Sequence, residues 1–399
     1  MKAGWKIRPL GEVCAFLNRG ISPKYLDSGG ICVLNQKCVR DHRVSFDLSR
    51  RHDARAKKVA DERLIQPGDV LVNSTGTGTL GRVAQLREHP PEPTTVDSHV
   101  TIVRPLPGKF YPDFFGYMLI VIEDAIKEAG EGCGGQTELA RSALAERFSV
   151  HYPESLSQQE RIVGILDEAF DGIATAKANA EKNLQNARAL FESHLQSVFT
   201  QRGDGWVERT IGEVCILRSG TTLAKKLEKA SGEIPYLKVA DMNISNNLDG
   251  VTSSSRFVNK TDVNASNLLP VGTTIFPKRG GAILTNKKRL TQRVICADLN
   301  IMGVTPKSGL LPEFLFNYFL RLDLREINNG SSIPQINNYS IEPLLIAFPN
   351  SIKEQRAIVV KLASLSEETR RLECIYQQKL AALEALKKSL LHQAFSGQL

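Results

Sequence analysis

At 399 residues, 42% hydrophobic and 24% charged, the chain has the makeup of a folded globular protein with room for two to four domains. Its net charge of +8 favours a polyanionic partner. No apolar run approaches the ~18 residues of a membrane span, and the opening Met1–Lys6 segment lacks a signal-peptide core, so a cytoplasmic protein is expected. The seven cysteines form no CxxC pair; Cys32 and Cys38 lack zinc-knuckle spacing, and Cys14 and Cys215 read as small buried hydrophobes.

In chain order, short β-rich runs come first: Ile31–Leu34, Gly68–Val72 and Val100–Val103, punctuated by glycine and proline. A helix opened by proline is predicted from Pro112 to Glu128. From Ser155 to about Gln201 there is no proline, and Ser155-x-x-Gln158 spells a capping box, so one long helix is predicted. The pattern then starts again. Strands are predicted at Ile234–Val239, Thr274–Phe276 and Leu299–Met302, a helix from Pro312 to Glu326, and a second long helix after the capping box Ser351-x-x-Glu354.

The motifs repeat as well. Trp5-x5-Gly11-Glu12-Val13-Cys14 returns 201 residues later as Trp206-x5-Gly212-Glu213-Val214-Cys215. Tyr111-Pro112-Asp113-Phe114 returns 200 residues later as Leu311-Pro312-Glu313-Phe314. Pro153-x-Ser155-x3-Gln159 returns 196 residues later as Pro349-x-Ser351-x3-Gln355, and this last offset holds without gaps down both tails to Phe199 and Phe395. A period near 200 is too long for a solenoid unit and implies duplication of a whole module. The fold class expected is α+β: two recognition bodies related by a pseudo-twofold axis, at 1–152 and 203–348, separated by long helices at 153–202 and 349–399. In the tails, Leu372, Ile375, Tyr376, Ala382, Leu383, Leu386 and Leu390 form one a/d-type stripe. Ala176, Asn179, Ala180, Asn186, Ala187, Leu190 and His194 form a smaller one. An antiparallel coiled coil of a ~30-residue paired stretch would be about 45 Å long, somewhat more than a ~34 Å DNA turn.

A W-x5-GE start, a loop Gly20-Ile21-Ser22-Pro23-Lys24, a Pro-Gly-Asp strand entry and a helix entered by P-x-S-I/L-x-E/Q-Q-x-x-I, in duplicated order, resemble the specificity subunit of a Type I restriction–modification system. The resemblance covers essentially the full length. It implies two target-recognition domains, each reading one half of a bipartite double-stranded DNA target, with the helices fixing the spacer. It also implies two modification subunits carrying the adenine methyltransferase site, and motor–endonuclease subunits. S-adenosylmethionine, ATP and Mg2+ are then expected on those partners, and no cofactor or metal on this chain. The copies depart from each other at Gly134-Gly135-Gln136-Thr137 against Ser331-Ser332-Ile333-Pro334-Gln335. The alternative reading is a non-catalytic coiled-coil adaptor for another ligand.

Catalytic signatures are missing. Gly76-Thr77-Gly78-Thr79-Leu80-Gly81 spells GxGxxG, but a dinucleotide site needs a helix next, and Arg82–Leu86 is strand-like. No P-loop, His-Glu-x-x-His or Asp/Asn-Pro-Pro-aromatic motif occurs. The chain is therefore expected not to be an enzyme, and the glycine loop, with Thr77, to approach a nucleic-acid backbone.

The expected DNA contacts lie just after the shared strands. They are Asn35, Gln36 and Lys37 in the first copy and Lys238, Asp241 and Asn243 in the second. Asn73, Ser74 and Thr75 align with Pro277, Lys278 and Arg279, and His99 aligns with Asn300. Arg40 and Arg43, within the basic run Lys37–Lys58, and Lys287 supply charge of the kind phosphates demand.

Overall fold

A computed structural model describes residues 4–133, 136–327 and 334–399. The contrast at Gly134, Gly135 and Ser331–Ile333 lies outside the described residues, as do the first three residues of the N-terminal segment. The chain divides into two units, one of residues 1–180 with 378–399 and one of residues 181–377, so the boundary runs through both long helices.

In the first unit, Trp5–Pro9 pairs antiparallel with Ser149–Pro153, placing Trp5 opposite Pro153. A four-stranded antiparallel sheet follows in the order Cys14–Arg19, Val100–Pro105, Val70–Asn73, Val83–Gln85. A second sheet runs Thr94–Val96, Ile31–Leu34, Arg50–His52, Tyr25–Leu26, its first pair parallel. The run Val70-Leu71-Val72 is continuously apolar because the first sheet is covered on both faces. Leu71 packs with Cys32, Leu34 and Ile102 between the sheets. Val70 and Val72 face Phe114, Phe115 and Met118 of the helix Pro112–Val121.

The second unit repeats this plan. Trp206–Thr210 pairs with Leu345–Pro349, placing Trp206 opposite Pro349. One sheet runs Cys215–Ser219, Ile301–Pro306, Thr274–Pro277, Arg289–Leu290, and the other Phe257–Val258, Ile234–Leu237, Ile295–Ala297, Leu268–Leu269. Several boundaries differ from expectation: the strand predicted from Gly68 begins at Val70, and the one predicted to Val239 ends at Leu237. The predicted strand at Leu299 begins at Ile301, because Asp298 and Asn300 form a tight turn. The predicted helix 112–128 breaks at Ile122 into Pro112–Val121 and Glu123–Glu128, and its counterpart breaks at Leu322.

The long helices span Leu156–Thr200 and Ile352–Phe395. Ser155 Oγ accepts from the Gln158 amide and Ser351 Oγ from the Glu354 amide, each at 3.4 Å, which is the N-cap half of the predicted capping boxes. In the first unit the start of one helix (Ile162, Leu166) and the end of the other (Leu391, Ala394, Phe395) enter the same core. In the second unit Leu195, Phe199 and Leu362 do so. Phe395 meets Phe114 at 5.0 Å and Phe199 meets Phe314 at 5.2 Å, contacts that correspond between the copies. Lys177 reaches Glu384 at 2.6 Å in the first unit and Arg188 reaches Glu373 at 3.0 Å in the second, so the helix segments run antiparallel in each. These exposed pairs add little energy; the apolar residues between the helices supply it.

The stripes need correction. Ala176, Ala180, Ala187, Leu372, Tyr376, Leu383 and Leu390 are at least half-buried, but Asn179, Asn186, Leu190, His194, Ile375, Ala382 and Leu386 are exposed. The buried columns are Ile173, Ala180, Ala187 and Leu362, Thr369, Tyr376, Leu383, Leu390, each a strict seven-residue repeat.

Candidate nucleic-acid interface

Each unit has an edge where loops leave the C-terminal ends of adjacent strands. In the first unit it gathers the loops after Ile31–Leu34 and Val70–Asn73 and the turn before Val100–Pro105. Asn73 donates to the Gln36 carbonyl at 2.9 Å, and the Thr75 hydroxyl bonds His99 Nδ1 at 2.7 Å. Ser74 Oγ bonds Thr101 Oγ1 at 2.5 Å. Residues 136–139 close over this edge: the Gly76 amide donates to Thr137 O at 2.9 Å, and Arg19 pairs with Glu138 at 2.6 Å. Arg19 and Glu138 lie far apart in sequence, and nothing in the repeats marked them.

The turn that builds the edge occurs twice. The Asp97 amide donates to Leu34 O, and its carboxylate accepts from the His99 amide, both at 2.9 Å. In the second unit the Asp298 amide donates to Leu237 O at 2.9 Å, and its carboxylate accepts from the Asn300 amide at 3.0 Å. Gly20 and Gly220 cross beneath these turns. A Cβ on Gly20 would lie 2.0 Å from Val96 O, and one on Gly220 2.0 Å from Asp298 O, so only glycine permits the approach.

The residues expected to touch DNA fall into two groups. Asn73, Ser74, Thr75 and Asp241 are buried, and their side chains bond neighbouring loops. Asn35 caps its own turn, accepting from the Lys37 amide at 2.8 Å and donating to Leu48 O at 2.7 Å. Lys238 is forked onto both oxygens of Glu228, at 2.8 and 3.1 Å. Lys278 donates to Ser219 Oγ at 2.7 Å, and Asn300 to Asp298 at 2.6 Å. Gln36 and Lys287 are half-buried, and Lys287 donates to Asn243. Lys37, Arg40, Arg43, Thr77, His99, Asn243 and Arg279 are exposed. Arg40 and Arg43 lie on a hairpin, Val39–Val44, tied by His42 to Glu123 at 2.7 Å.

The glycine loop is no nucleotide cradle. Gly76, Gly78 and Gly81 take positive φ (102°, 77° and 82°), and the chain then enters the strand Val83–Gln85 rather than a helix. Burial pushes the Cys14 and Cys215 thiols up to about 12, which keeps them protonated and unreactive. Among the described residues no group of three or more His, Cys, Asp or Glu could hold a metal ion, and no helix is long and apolar enough to cross a membrane.

The fold is that of Type I specificity subunits. A chain solved in work on complex assembly and conformational transition of the type I R-M system is 17% identical, with a TM-score of 0.82, covering 100% of this chain and 99% of that one. The HsdS subunit from Thermoanaerobacter tengcongensis is also 17% identical, with a TM-score of 0.64, covering 100% and 98%. Residues 203–384 match the family model described as Type I restriction modification DNA specificity domain. No curated protein matches the sequence. The likeness drawn from the duplicated motifs thus meets a family match in the second copy and a shared fold along the whole chain.

Proposed function

We propose that this chain is the sequence-reading subunit of a Type I restriction–modification complex. Each mixed body takes one half of a bipartite target on double-stranded DNA, and the two long helices set the unread spacer. One observation carries this reading: the same edge is built twice from the same backbone bonds, while the side chains mounted on it differ. His99 stands where the other copy has Asn300, and Asn73-Ser74-Thr75 where it has Pro277-Lys278-Arg279. A constant frame with exchanged amides, imidazoles and guanidiniums is what reading two different half-sites requires, since bases are told apart by donor and acceptor patterns in the major groove.

In this reading Lys37, Thr77 and His99 face the first half-site and Asn243 and Arg279 the second, with Asn73, Ser74, Asp241 and Lys238 bracing the loops behind them. The chain carries no chemical step. Two modification subunits hold S-adenosylmethionine and flip the target adenine, and motor–endonuclease subunits use ATP and Mg2+. The chain acts in the cytoplasm, on DNA, and chooses which adenine the partners reach. The test is to express it with its modification subunit and map methylated adenines across the host genome. A two-part motif with a fixed gap is expected; one uninterrupted motif, or none, would refute the reading.

A further inference from the structure

We propose that the hairpin Val39–Val44 is a phosphate clamp in which Arg40 and Arg43 hold one backbone phosphate of duplex DNA between their guanidinium groups. This deepens the DNA-reading proposal and rests on it. The sequence Val-Arg-Asp-His-Arg-Val turns at Asp41 and His42, whose φ values of 52° and 58° suit a two-residue hairpin. Its register sets Val39 opposite Val44 and Arg40 opposite Arg43. Val39 is fully buried and Val44 packs on the same core, so strand alternation sends both arginines to the outer face.

Like charges directly opposite each other destabilise a hairpin. Nothing in the protein relieves this pair: among the described residues neither guanidinium has an ion-pair or hydrogen-bond partner. Nearby arginines are occupied, Arg51 by Glu92 at 2.6 Å and Arg50 by the Tyr25 ring at 3.5 Å. The hairpin is also fixed in place, because His42 bonds Glu123 at 2.7 Å and Glu123 bonds Lys127 at 2.9 Å. Two exposed guanidiniums set opposite each other on a fixed mount, neither with a partner among the described residues, suit a tetrahedral monoanion, which each can engage through paired N–H donors. Among the described residues the second unit has no such device. Its corresponding stretch forms the turns Val239–Asn243 and Ser245–Asn247, pinned by the Asn247 side chain.

The test is binding of the full-length chain to a mixed-sequence duplex of ~30 base pairs between about 50 and 200 mM salt. The double variant Arg40→Ala/Arg43→Ala should lower the slope of log K against log salt by about 0.9, one phosphate contact, which is about 3.5-fold across that range. Its melting temperature should stay level or rise, since a repulsion is removed. An unchanged slope while the parent chain still binds overturns the clamp and leaves the DNA-reading proposal standing. A parent chain that binds no duplex at any salt overturns both.

Discussion

Gln159 accepts a hydrogen bond from the Tyr111 backbone amide at 2.8 Å and donates to Pro153 O at 2.8 Å, with its side chain fully buried. Gln355 does the same with Leu311 and Pro349, at 2.8 Å each. One amide thus locks the first turn of each long helix to the entry of the proline-opened helix and to the closing strand. Each side-chain amide also donates to a second carbonyl, Lys109 O at 3.4 Å or Gly309 O at 2.9 Å, so replacing either glutamine with leucine leaves a backbone amide and two carbonyls without these partners. Each variant should lose about 1–3 kcal/mol by urea unfolding. A loss near zero at both sites would remove the glutamines from the account of why this motif recurs.

Gly20 and Gly220 should be equally intolerant. An alanine Cβ at either would sit 2.0 Å from a carbonyl oxygen, and the strand beneath the edge must move. Destabilisation of about 1–3 kcal/mol is expected for Gly20→Ala and for Gly220→Ala. Methylation should also suffer in the half-site read by the altered unit alone.

Asp241 predicts a change in the acid limb of stability. Burial raises its pKa, but hydrogen bonds from Ser255 and the Lys238 amide outweigh burial and hold the carboxyl below its ordinary 3.8. Its ionised form therefore stabilises the fold above that value, and the contribution is lost as pH falls through the folded pKa. Asp241→Asn should be less stable than the parent at about pH 7, and the gap should narrow towards about pH 3. A gap that stays constant over this range would contradict the assignment.

The seven-residue columns between the helices predict how the spacer responds to length. Removing seven residues from both helices keeps the columns in phase and shortens the pair by about 10.5 Å, or about three base pairs. Methylation mapping should show the gap shortened and both half-sites unchanged. An unaltered gap would refute the role of the helices as a ruler.

Much of this was legible because the duplication marks its own constants. The Trp–Pro register, the capping boxes and the buried glutamines sit at matched offsets, and the structure gives each the same partners twice. The apolar positions Ile375 and Ala382 lie one residue from the covered Tyr376 and Leu383, because two neighbouring apolar columns satisfy the same local spacing and only the facing helix decides which is covered. At the edge, the sequence marked the right loops but not which side chains face outward. Asn73 and Lys37 are both polar loop residues, and their difference lies in a bond from Asn73 to Gln36 made across 37 residues. Arg19 and Glu138 could not be found at all, since their pairing joins segments 119 residues apart.

The central claim is that two separately mounted readers each address one half of a split target. Methylated adenines should be mapped for the parent, for Lys37→Ala/His99→Ala and for Asn243→Ala/Arg279→Ala, each expressed with the modification subunit. The first variant should relax or lose only one half of the motif, the second only the other, with losses of about 1–3 kcal/mol per base contact removed. If either variant altered both halves alike, or neither altered any base preference, the claim of two independent readers would be contradicted.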